Sequence, residues 1–121
     1  IRPAHEVALD ALADLKSRSL WQSGEEKAYH TELTRIMRQY VEDRYEIQAL
    51  EMTTSQLKTK MNSENIDADI IHQFVEILQI ADKVKFAKGS TGPAINEKFM
   101  DDAFAIVRNT KKIVEVQHVD D

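Results

Sequence analysis

The chain has 121 residues, of which 42% are hydrophobic and 31% charged, with a formal net charge of −5 and a pI near 5.4. That is enough for one domain with a real core, and too apolar for a disordered segment. The composition excludes a disulfide framework and a thiolate metal site, because there is no cysteine, and no apolar run is long enough to span a bilayer.

The acidic balance works against a polyanion partner, although a local basic face could still bind one. With only three glycines and two prolines, long helices are favoured over hairpins, which need turn residues. The chain opens Ile1-Arg2-Pro3 without an initiator Met or a signal-peptide pattern, so it is expected to be a piece of a larger product.

Ala4, Val7, Ala8, Ala11, Leu12 and Leu15 recur at helical spacing, and Pro3 suits the first turn, where its missing N–H costs little. Leu20 and Trp21 follow a Ser/Arg/Ser break and are expected to cover one end of the core. Ser23-Gly24-Glu25-Glu26 reads as a capping box, opening a long helix with the stripe Tyr29, Leu33, Ile36, Met37, Tyr40 and Val41. Between Tyr45 and Met52 the period is lost, which predicts a short extended connector near 46–52 anchored by Ile47, Leu50 and Met52.

Thr53-Thr54-Ser55-Gln56 is a second capping-box pattern, ahead of a short helix carrying Leu57 and Met61. Asp67 or Asn65 is then expected to cap a helix with apolar residues at Ile70, Ile71, Phe74, Val75, Ile77, Leu78, Ala81, Val84 and Phe86. Its wide stripe predicts a central helix. Lys83, Lys85 and Lys88 crowd its last turns and Gly89 follows, as the helix dipole and a left-handed terminus would favour.

After the linker-like Gly89-Ser90-Thr91-Gly92-Pro93, a last helix carries Ile95, Phe99, Ala103, Phe104, Ile106 and Val107. From Val114 the pattern alternates, leaving three readings open: a frayed tail, a continued helix or a strand pairing elsewhere. The expectation is therefore an all-α fold of about five helices in one compact orthogonal or irregular bundle. It comprises a single domain over 1–110 and a tail over 111–121.

No residue is put forward as catalytic, cofactor-binding or metal-ligating, and no cofactor is expected. His5, His30, His72 and His118 lie on separate segments and form no short multi-His motif. Glu26 with His30, and His72 with Glu76, have metal-compatible spacing, yet such pairs are common on helix surfaces and are read that way. Asp101-Asp102 and Asp120-Asp121 are adjacent residues; on a helix such a pair diverges instead of forming a two-carboxylate centre. The short helix Thr54 to Met61, with Gln56, Lys58 and Lys60, gives a helix-turn-helix-like nucleic-acid-binding regulator as the alternative function.

Several runs together resemble a known family. They are Arg2-Pro3-Ala4-His5-Glu6 into Ala8-Leu9, Leu20-Trp21, Tyr29 with Glu32-Leu33-Thr34, and Arg38-Gln39-Tyr40-Val41-Glu42-Asp43-Arg44. Ala49-Leu50-Glu51-Met52-Thr53-Thr54 and Ala81-Asp82-Lys83-Val84-Lys85-Phe86-Ala87-Lys88 complete the set.

Together they resemble the cytoplasmic helical domain of membrane-anchored Bacteroidetes proteins associated with MoxR/Bat (aerotolerance, BatD-like) gene clusters. The resemblance implies a transmembrane helix upstream of Ile1 and a place on the cytoplasmic side of the inner membrane. It also implies genomic neighbours of the MoxR-type ATPase and von Willebrand A-domain classes. The function expected from it is a non-enzymatic interaction domain docking such a protein partner, with no small-molecule ligand. A lipid contact by Lys83, Lys85 and Lys88 is left open, since the cluster is shorter than usual membrane-binding runs.

Overall fold

The computed structural model describes residues 2–87 and 89–113, with Ala87 described by its backbone alone. Five helices form an all-α bundle: α1 (Ala4–Ser17), α2 (Glu26–Tyr45), α3 (Thr54–Ser63), α4 (Ala68–Ala87) and α5 (Pro93–Thr110). One-turn 3-10 segments at Trp21–Ser23 and Ala49–Glu51 interrupt the connections before α2 and α3. There is no strand among the described residues, and none of their helices is long and apolar enough to cross a membrane.

Each helix follows from its apolar spacing. Ala8, Leu12 and Leu15 bury one stripe of α1, whose end is set by a left-handed Ser19 with φ 49°. α2 buries Leu33, Ile36, Met37, Tyr40 and Val41, and stops where Glu46 turns left-handed at φ 57°. In α3 the expected capping box is present: Gln56 N–H donates to Thr53 Oγ1 at 3.1 Å, and Thr53 N–H donates to Gln56 Oε1 at 3.0 Å. Of the two expected caps of α4, Asp67 takes the role, accepting from the Asp69 N–H at 2.8 Å.

Tyr29 meets Asn96 and Tyr40 meets Val107, so α2 and α5 run in the same direction with matched register. Ala4 to Ala11 at the start of α1 lie by Arg35 to Asp43, towards the end of α2, which makes α1 antiparallel to that pair. The α3–α4 hairpin closes the other side.

Two expectations are corrected here. Ser23 caps nothing: it sits in a 3-10 turn and its hydroxyl donates to the Ser19 carbonyl at 2.9 Å, while Glu25 occupies the cap position without a side-chain bond. The 46–52 connector contains a helical turn, because Arg38 reaches from α2 to hydrogen-bond the carbonyls of both Ala49 and Met52 and draws the backbone round its guanidinium. α4 is central, as its wide stripe implies, packing on α2, α3 and α5, and α2 packs on α1, α4, α5 and both 3-10 turns.

Gly24 and Gly92 are left-handed (φ 85° and 81°), and the expected left-handed terminus of α4 at Lys88-Gly89 falls at the edge of the described residues. Val7, Ile95 and Phe86 also stay on the surface although their spacing places them on apolar stripes. The tail from Val114, and Lys88, lie outside the described residues; α5 ends at Thr110, where Arg44 Nε donates to its carbonyl at 2.6 Å.

Candidate functional site

The feature that departs most from an apolar bundle lies where α2 and α5 begin. His30 and Asn96 are the buried polar side chains of the core, 1% and 0% exposed. Both occupy core positions by spacing: His30 sits within the Tyr29–Leu33–Met37 stripe, and Asn96 precedes Phe99, Met100 and Ala103. Burial of such groups is costly unless they bond one another.

They do so through a closed network. The Asn96 amide Nδ2 donates to Glu26 Oε2 at 2.8 Å, and the Thr91 backbone N–H donates to Glu26 Oε1 at 2.9 Å. The Thr91 hydroxyl donates to Asn96 Oδ1 at 2.6 Å, and His30 Nε2 lies 3.0 Å from the same oxygen. Because Oδ1 only accepts, Nε2 carries the proton. A neutral His30 then leaves Nδ1 as a bare acceptor, and Nδ1 is buried without a partner.

Tyr29 completes the assembly by donating its hydroxyl proton to the Asn96 carbonyl at 2.7 Å. The rings of Tyr29 and Phe99 stand edge-on to His30, at 5.2 and 6.3 Å.

The electrostatics follow from this packing. Burial pushes the His30 pKa below its ordinary 6.5, against the opposing effects of Asn96 and the Glu26 charge. Burial would raise Glu26, but donors from Asn96, Thr91 and Ser90 outweigh it and hold the carboxyl at about 2. Burial, then the charge of Asp101, raises the Tyr29 phenol. The arrangement locks the 89–92 loop onto α2. It offers a carboxylate and an imidazole already engaged with one another's partners.

Glu26 and His30 are therefore not the surface pair their spacing was read as. They are joined to residues over 60 positions away, and Thr91 and Asn96 were not singled out as polar partners in the sequence. The one available signal was an Asn on the apolar phase of α5. His72 is exposed, and Glu76 pairs instead with Lys98 at 3.1 Å. Lys98 also bonds Asp102 at 2.8 Å, while Asp101 lies apart on the exposed side. No three His, Cys, Asp or Glu side chains converge to hold a metal ion among the described residues.

Two concave surfaces bear on docking. One lies between α1, the first 3-10 turn and α5: Leu15 and Met100 are its buried base, Leu20 and Trp21 its half-buried wall, and Glu97 and Asp101 its exposed rim, around about 230 Å³. The other is an open trough between α3 and α4, where Val75 and Ile80 are flanked by Lys58 and Lys83 of one sign and Glu76 and Asp82 of the other. Thr54 crosses its end by donating to Asp82 at 2.9 Å. The outer face of α3 presents Ser55, Gln56, Thr59, Lys60 and Ser63.

Comparison with known proteins returned no matching family model, no matching curated protein and no matching solved structure.

Proposed function

We propose that this chain is a non-enzymatic interaction domain of a membrane-anchored protein, working on the cytoplasmic side of the inner membrane. Its partner in this reading is a MoxR-type ATPase or a von Willebrand A-domain protein. The observation that carries the docking role is the α3–α4 trough, an open surface where Val75 and Ile80 lie between charges of both signs. Non-obligate protein interfaces have this mixed character, whereas nucleic-acid faces are one-signed and basic. The sequence resemblance supplies the membrane setting and the partner class.

The test is crosslinking in native membranes from a photoreactive side chain at Gln79, an exposed trough position. Recovery of a MoxR-type or A-domain neighbour is the expected outcome, and consistent recovery of neither would overturn the reading. The helix-turn-helix alternative draws its support from the exposed Gln56 and Lys60 of α3. It requires duplex binding that weakens steeply with salt and is lost on Lys58→Glu, Lys60→Glu substitution.

A further inference from the structure

The α1–α5 groove and the end of α4 are complementary to one another, and they belong to the same chain. The groove has a base of Leu15 and Met100, a wall of Leu20 and Trp21, and a volume near 230 Å³. A closed apolar cavity of about 150 Å³ already accepts benzene, so a phenyl ring fits here with room to spare. Its rim carries Glu97 and Asp101, one helical turn apart on α5, against the single cation Lys16 of α1, and neither acid enters an ion pair among the described residues. Lys98, the cation between them in sequence, is turned to Glu76 and Asp102.

At the end of α4, Phe86 is 75% exposed, whereas Phe74 on the same helix is buried. Lys85 holds its ammonium 5.2 Å from the Phe86 ring centre, so the aromatic arrives with a positive charge beside it.

We propose that the groove of one copy receives Phe86 of a second copy, with Lys85 of the entering chain paired to Glu97 and Asp101 of the receiving one. Ring burial supplies the attraction, and the charges set the orientation and choose this aromatic over an acidic competitor. Donor and acceptor surfaces differ, so each copy can both give and receive an aromatic. One inserted side chain buries little area, so the assembly is weak, concentration-dependent and salt-sensitive. The inference uses neither the trough nor the membrane partner, and it stands or falls apart from the proposed docking function.

Sedimentation velocity of the purified chain from micromolar to millimolar concentration tests it, with the fluorescence of Trp21, the sole tryptophan, as a reporter inside the groove. The expected result is a sedimentation coefficient that rises with concentration, and Trp21 emission that shifts in step. Phe86→Ala is safe for folding because the ring is exposed, and it should weaken association by roughly tenfold or more, the value of burying such a ring. Asp101→Lys and Lys85→Glu should each lower self-association, and an equimolar mixture of the two should recover it. A chain that stays monomeric to millimolar concentration would overturn the proposal. So would a Phe86→Ala variant that associates as strongly as the parent, or a charge-reversed mixture that recovers nothing.

Discussion

At the scale of single residues, His30 and Asn96 show how a core can hold polar groups at a price that depends on pH. His30 has a folded pKa below its ordinary 6.5, so the unfolded chain binds more protons as pH falls beneath that value. Stability therefore rises with pH, is complete above 6.5, and drains away on acidification towards the lower folded pKa. Glu26, held at about 2 against an ordinary 4.5, adds a second loss between those two values. Urea midpoints should thus decline in two stages, the first absent in His30→Gln. Equal midpoints at pH 7 and pH 5 in the parent chain would show that His30 is not buried neutral. Asn96→Ala removes partners from Glu26, Thr91 and His30 together, and should cost about 1–3 kcal/mol for each polar group left buried and unpaired. A midpoint unchanged by that substitution would mean the network is replaced by water.

At the scale of elements, the two Ser/Thr-x-x-Glu/Gln patterns separate what local chemistry decides from what packing decides. Thr53 caps α3 in both directions, so Thr53→Ala should cost about 1 kcal/mol. Ser23 bonds only backwards within its turn, so Ser23→Ala should stay within about 0.5 kcal/mol. Paired thermal melts check the contrast, and equal losses would restore Ser23 as a cap. The reason for the difference is Glu26: its carboxylate would have to fold back on the cap residue, but Asn96 and Thr91 hold it from the other side. Gly92 opens α5 at φ 81°, a region where a Cβ is strained even though nothing crowds the position. Gly92→Ala should accordingly destabilise by about 1–2 kcal/mol in the same melts.

At the scale of the molecule, one contiguous core joins all five helices, with α2 at its centre. Leu33 is wholly buried on that hub, and Leu33→Ala should lower stability by about 2–5 kcal/mol. Circular dichroism and Trp21 fluorescence should lose their signals together, since Trp21 packs against the same core. Separate midpoints would show that the α3–α4 hairpin unfolds independently.

The sequence by itself determined the five helices, most of their buried stripes and the Thr53 cap. Each of these depends on residues within one or two turns of each other, so spacing reveals them. Only the tertiary structure decided that Glu26 and His30 face inwards, and that Arg38 folds the 49–52 segment into a turn. The first rests on Thr91 and Asn96, more than 60 residues from the groups they satisfy, and the second on a side chain 11 and 14 residues from the carbonyls it binds. A helix places a polar residue on a face without saying what the face will meet. Whether that residue is solvated or sealed is settled by whichever distant segment supplies the matching donors and acceptors when the helices close.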